Sequence, residues 1–281
     1  MPRFTPDDVR RFYDRSTPAF VRYGQGGRAG TIHRAVWGPG ATTRDQAFHF
    51  VEHHVLSRLS QGHGATHVLD LGCGIGASLA CLLSARADTA LRGTGVTLSP
   101  LQARLAREWA RAHGLADRLT IVEADFTALP ASIRDVDLAY AIESFVHATD
   151  PRAFFREAAR VLRPGGRLLI CDDVDGGADT PAAIRARERF VRGWHINTLL
   201  QPEALVRHAA AEGFRHLETM DLTPWLELGR PRDRLAAAFV ALCGWLPLAR
   251  TPLGHLVGGS ALQSCLRRGW VRYELAEFVR E

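Results

Sequence analysis

Lysine is absent: all 35 basic residues of this 281-residue chain are arginine. An arginine-favouring genome accounts for the bias, yet no lysine amine is then available for Schiff-base catalysis. Cysteine is scarce as well. Its five copies stand at 73, 81, 171, 243 and 265 with no Cys-x-x-Cys pair, and read as buried thiols in a reducing compartment rather than a disulfide frame. No cluster of His, Asp or Cys shows ligand spacing, so no metal is expected. Long apolar runs are missing too, since none approaches the roughly 20 residues of a membrane helix. Met1-Pro2-Arg3-Phe4-Thr5-Pro6-Asp7-Asp8 carries no hydrophobic signal, so a cytoplasmic protein without membrane insertion is expected. The formal charge of +5 comes from scattered arginines with no basic block. That argues against nucleic acid as a partner, while the same charge would draw in a small anion. There is no internal repeat and no low-complexity linker.

What is present is a large core. Apolar residues make up 46% of the chain, too many for disorder, and the length fits one large α/β domain with elaborations. Strands are predicted at Val68–Leu71, Leu91–Val96, Leu119–Glu123, Val136–Ala141, Arg167–Cys171 and Arg215–Asp221, with a last one from Trp270 onward. Helices are predicted over 7–24 (breaking at Thr17-Pro18), Thr43–Ser60, 77 to before Ala87, Pro100–His113 and Pro151–Leu162. Arg163-Pro164-Gly165-Gly166 reads as a tight turn before the fifth strand. Residues 176–212 and the excursion 223–269, which holds Trp225, Phe239, Trp245 and Leu256, are mainly helical. Alternating strands and helices of this length imply a mostly parallel, seven-stranded sheet with helices on both faces.

The densest signal is Val68-Leu69-Asp70-Leu71-Gly72-Cys73-Gly74-Ile75-Gly76, a strand running into a glycine turn and then a helix. Glycine lets backbone approach a ligand closely, at the crevice where open α/β sheets bind cofactors. This segment resembles motif I of the class I S-adenosylmethionine-dependent methyltransferases. The resemblance extends over residues 48–175, and Gly95-Val96-Thr97-Leu98-Ser99-Pro100-Leu101-Gln102 is similar to the sterol, tocopherol and terpenoid small-molecule branch. It implies a Rossmann-like single domain over 1–281: an N-terminal lid segment (1–47), a cofactor-binding core (48–175), and helical lid insertions (176–212 and 223–269). It further implies S-adenosyl-L-methionine as cofactor. Asp70 orients the loop and reaches the methionine amino group, and Gly72, Cys73, Gly74 and Gly76 allow the close approach. Thr97, Leu98 and Gln102 face the ribose and adenine edge, Asp125 and Phe126 clamp the adenine, and Glu143 joins the set. Thr97 stands where many relatives carry an acidic residue, which argues against a plain NAD enzyme.

After the fourth strand comes Glu143-Ser144-Phe145-Val146-His147, which in the family lies over the reactive methyl group. Two chemistries compete. In hydroxyl methylation, His147 is the general base and Asp173 holds its other ring nitrogen. In alkene C-methylation, Glu143 collects the proton from a carbocation held in an aromatic cage. The Thr97/Gln102 pattern, Glu143 and the aromatic supply favour C-methylation of a prenyl-like or unsaturated metabolite of secondary metabolism. Expected acceptor contacts are Tyr13, Tyr23, His33, Trp37, Phe190, Trp194, His195, Asn197, Trp225 and Trp245, with His195 and Asn197 orienting a substrate oxygen. Arg22, Arg28, Arg34 and Arg192 could hold a diphosphate, accompanied by magnesium. A catalytically silent cofactor-binding or interaction module is the opposing class. The oligomeric state is not fixed, and a homodimer is compatible with the sequence.

Overall fold

In a computed structural model of the chain, residues 4–23, 32–59, 66–86, 90–231, 233–235, 238, 240 and 254–281 are described. Arg28, Phe239, Cys243 and Trp245 lie outside them, as does the side chain of Tyr23.

Seven strands form one sheet: β1 (Thr66–Leu71), β2 (Leu91–Thr97), β3 (Leu119–Glu123), β4 (Val136–Ile142), β5 (Leu162–Asp175), β6 (Phe214–Asp221) and β7 (Val271–Arg280). Their order is β3-β2-β1-β4-β5-β7-β6. The first five are parallel, and β7 runs antiparallel to both β5 and β6. This is the Rossmann-like, mostly parallel sheet expected from the alternation of elements. Because successive side chains point to opposite faces, Leu138 and Tyr140 join one core while Ala139 and Ala141 join the other.

The helices are α1 (Pro6–Tyr23), α2 (Arg44–Phe48), α3 (Phe50–Ser57), α4 (Ala77–Ala85), α5 (Pro100–Ala112), α6 (Pro151–Val161), α7 (Pro181–Gly193), α8 (Pro202–Ala211) and α9 (Gly254–Arg267). The first core takes α3, α4 and α5; the second takes α6 and α8. Helices α7 and α9 pack together. Gly258 permits that approach, since a Cβ there would lie 2.7 Å from Cδ1 of Trp194 and 2.9 Å from Cα of Gly193. Among the described residues no helix is long and apolar enough to cross a membrane.

Three local expectations are corrected. Helix α1 runs on through Pro18, although an interior proline costs about 3 kcal/mol. Tertiary anchors offset it: Val9 and Thr17 are buried, Thr17 accepts from Gln102 and Asp14 from Ser99, and Phe20 stacks on Trp194. The single helix expected over 43–60 is two, separated by His49 at φ −101° and ψ 13°, whose ring lies 3.8 Å from Asp45 and 3.9 Å from Glu52. Finally, Arg163–Gly166 belongs to β5 as an irregularity in the ladder. Val136 pairs with Leu162 and Leu138 with Arg167, and the surplus residues bend out with Gly165 at φ +76°.

Candidate active site

A cavity of about 360 Å³ opens at the carboxyl ends of β1, β2, β4 and β5, closed on one side by α1 and on another by α7 and α9. It lies where the strand order turns back between β1 and β4, the position open α/β sheets use for ligands. The glycine turn after β1 forms its floor. Gly72, Gly74 and Gly76 have φ of +112°, +51° and +79°, a region that L side chains enter only under strain. The turn is held from below, because the amides of Gly72 and Cys73 both donate to the Val96 carbonyl at 3.0 and 2.8 Å.

Asp70 lines this floor and is 3% exposed. Burial raises its carboxyl to about 7, opposed chiefly by the Tyr140 hydroxyl. Among the described residues no arginine or histidine reaches ion-pair distance of it. A buried, uncompensated carboxylate beside a glycine turn fits a ligand carrying an ammonium and a sulfonium. Thr97, Leu98, Gln102 and Phe126 line the same end. Thr97 donates to Gln102 (2.8 Å), and Gln102 donates to Thr17 of α1 (3.1 Å), so α1 and the end of β2 are joined at the cavity. Asp125 is not in the lining. One of its oxygens accepts from the amide and hydroxyl of Thr127 at 2.8 and 2.7 Å, which shapes the turn that presents Phe126.

Just after β4, Glu143 sits at φ +52°, a strained conformation that persists when surroundings over-determine it. They do: one oxygen accepts from the Arg34 amide (2.8 Å), Arg34 Nε (2.9 Å) and the Tyr273 hydroxyl (3.1 Å). Burial would raise this carboxyl, but Arg34, then His33, hold it below its ordinary value. Arg34 forks onto both oxygens of Asp173 at 2.8 Å each and lies 4.1 Å over the Tyr273 ring. Asp173 therefore does not orient His147; a bidentate arginine pair outcompetes a single imidazole bond.

His147 is oriented by backbone instead. Its Nδ1 lies 3.1 Å from the His195 carbonyl, which can only accept, so Nδ1 carries the proton. Nε2 is then a lone pair and accepts from the Tyr13 hydroxyl at 2.7 Å. Burial lowers the imidazole to about 4, against a smaller upward influence of the His195 bond. His147 is thus a neutral acceptor at physiological pH. His33 is its opposite. Both ring nitrogens face acceptors, the Arg34 carbonyl at 3.1 Å and Glu52 at 2.7 Å, so the ring is an imidazolium. Burial opposes that charge but Glu52 overcomes it, raising His33 to about 9.

Of the expected acceptor contacts, Tyr13, His33, Phe190 and Trp194 line the cavity. The other described ones, Trp37, His195, Asn197 and Trp225, stand outside the lining. Asn197 bonds the backbone of Phe4 in both directions and the His147 carbonyl, which occupies both of its N–H donors. His195 stacks on Phe12 with centroids 4.7 Å apart. Trp37 and Trp225 strap the chain outside the cavity: the Trp37 amide donates to the Trp225 carbonyl at 2.8 Å, and Val36 bridges Leu226. Among the proposed diphosphate ligands, Arg34 is held by carboxylates, while Arg22 and Arg192 are exposed and outside the lining. His54, Glu218 and Glu277 do gather, with ligand atoms within 4.8 Å of one another. Arg58 pairs with both carboxylates there, and none of the three lines the cavity. Sequence reasoning missed Glu52, Tyr273 and the role of Arg34. A glutamate inside the apolar stripe Val51–Val55 was the available signal for the first.

The methyltransferase domain model matches residues 69–170. An O-methyltransferase of Pyrenophora dematioidea is 35% identical over 78% of this chain and 79% of its own length. The 24-methylenesterol C-methyltransferase 2 of Oryza sativa subsp. japonica is 29% identical over 69% of this chain and 58% of its own. Among solved structures, the cyclopropane synthase MmaA2 from Mycobacterium tuberculosis shares the fold with a TM-score of 0.75, at 19% identity over 99% of both chains. The chain belongs to the class I S-adenosylmethionine-dependent methyltransferases. It is an enzyme with S-adenosylmethionine as cofactor, and its relatives span O- and C-methylating branches rather than the sterol and terpenoid branch alone.

Proposed function

We propose that the enzyme methylates a hydroxyl oxygen of a small, uncharged and largely apolar metabolite, with His147 as the proton acceptor. The observation that carries this reading is the geometry of His147: a neutral imidazole, fixed through Nδ1, whose Nε2 lone pair meets a hydroxyl at 2.7 Å within the cavity. S-adenosylmethionine supplies an electrophilic methyl group on sulfur. As the acceptor oxygen forms its bond to that methyl group, its own proton becomes strongly acidic, so even a weakly basic histidine suffices. Asp70 balances the cofactor's positive charge, and Phe20, Phe190, Trp194, Ile196 and Leu262 exclude water from the acceptor end.

Charge supports an uncharged acceptor. Among the described lining residues the cations are His33 and Arg34, each held by carboxylates of the protein itself, which leaves neither to grip a diphosphate. O-methyltransferases also feature among the relatives matched over most of their length. C-methylation is the second reading, favoured by the rings of Phe12, Tyr13, Phe20 and Trp194 clustered at the acceptor end. Glu143, its intended proton collector, has one oxygen already accepting three hydrogen bonds. Incubation with methyl-labelled cofactor and a panel of phenols, enolised 1,3-diketones, neutral alkenes and prenyl diphosphates separates the readings. Label on oxygen of an uncharged acceptor is expected; label on carbon, or turnover of diphosphates alone, would reverse the choice.

A further inference from the structure

The Nε2 lone pair of His147 is covered. The Tyr13 hydroxyl lies on it at 2.7 Å, and with Nδ1–H directed at the His195 carbonyl the tyrosine must be the donor. An acceptor hydroxyl entering the cavity therefore meets Tyr13 before it meets the base. We propose, resting on the oxygen-methylation reading, that Tyr13 is a second catalytic residue that relays the acceptor's proton to His147.

Tyr13 is held in that position by contacts on either side of it along α1. Phe12 stacks on His195, Asp14 accepts from Ser99, and Thr17 accepts from Gln102. The Tyr13 and His147 rings meet edge to face, with centroids 5.3 Å apart at 86°. Tyr13 also lines the cavity alongside Glu143 and His147. Burial, then the charges of Glu143 and Asp172, push its phenol further from ionisation. That disfavours a free phenolate, so in the proposed relay both protons move together.

The step balances without a further reactant. As the acceptor oxygen forms its new bond to carbon, its O–H bond breaks and that proton joins Tyr13 Oη. The original Tyr13 O–H bond breaks in the same event and its proton joins Nε2 of His147. Tyrosine ends as it began, His147 becomes an imidazolium, and its low proton affinity returns the proton to solvent once product leaves.

The test is Tyr13→Phe, which preserves the ring and removes only the hydroxyl, assayed in single turnover with the hydroxyl acceptor that the labelled panel selects. The relay predicts a rate loss of about 10²-fold with little change in acceptor KM. Binding of S-adenosylhomocysteine by calorimetry should stay at its wild-type value, while loss of the buried hydrogen bond lowers the melting temperature slightly. In mixed light and heavy water, the wild-type rate should follow the curved dependence of two moving protons. A wild-type or faster Tyr13→Phe rate, or a linear wild-type dependence, overturns the relay. Label on carbon removes the parent reading and the relay together. Label on oxygen with undiminished Tyr13→Phe turnover removes the relay alone.

Discussion

A carbon atom added at Gly72 would lie 2.3 Å from Cβ of Ser144, on backbone already at φ +112°. At Gly74 the same atom meets only Ile32, at 3.7 Å, with φ +51° as the remaining penalty. Strain of this kind costs on the order of 1–3 kcal/mol per site, and at Gly72 a steric clash is added. Calorimetric titration with S-adenosylhomocysteine should therefore show Gly72→Ala weakening affinity at least about tenfold, and more than Gly74→Ala. Equal losses would mean that the turn is not shaped by Ser144. The motif itself was legible in the sequence because glycine spacing after an apolar strand is a local pattern. The ranking among its glycines was not, because Ser144 arrives from the end of β4. The pairing of Asp173 was hidden in the same way. Adjacent strand ends bring it near His147, but Arg34, far away in sequence, takes both its oxygens.

At the scale of elements, the segment Ile32–Trp37 is anchored by buried charge. His33 and Glu52 form an ion pair at 2.7 Å, and Ser78 of α4 donates to the same carboxylate oxygen at 2.7 Å. The folded-state value of His33 is raised from 6.5 to about 9. Its contribution to stability is therefore fully present below about pH 6.5 and is lost as pH rises through about 9. Thermal denaturation should show the melting temperature falling across that window, and falling less steeply in His33→Gln. Identical slopes would mean that the pair is not ionised. The strand and helix order could be read from periodicity, whereas the passage of α1 through Pro18 could not. Proline is a local stop signal, and what outweighs it is contact with Ser99, Gln102 and Trp194.

For the molecule as a whole, the sheet brings groups from separate segments to one edge: Asp70 from β1, Thr97 from β2, Glu143 and His147 after β4, and Tyr13 from α1. Composition and motifs were enough to imply that edge and its cofactor. They were not enough to choose the chemistry, because candidate residues such as Glu143, Arg34 and Asn197 turn out to be bonded to one another or to backbone. The pH dependence also changes with assembly. An isolated histidine would make the rate rise through about 6.5, but burial moves His147 to about 4. On the oxygen-methylation reading the base is then already neutral above about pH 5. The most direct measurement is the pH profile of kcat for oxygen methylation in the wild-type enzyme and in His147→Ala. A neutral His147 base predicts a wild-type profile flat between about pH 5.5 and 8 and falling towards pH 4, with His147→Ala slower by about 10²–10⁴-fold throughout. Wild-type turnover by His147→Ala, or a rise through the ordinary histidine range, would contradict it.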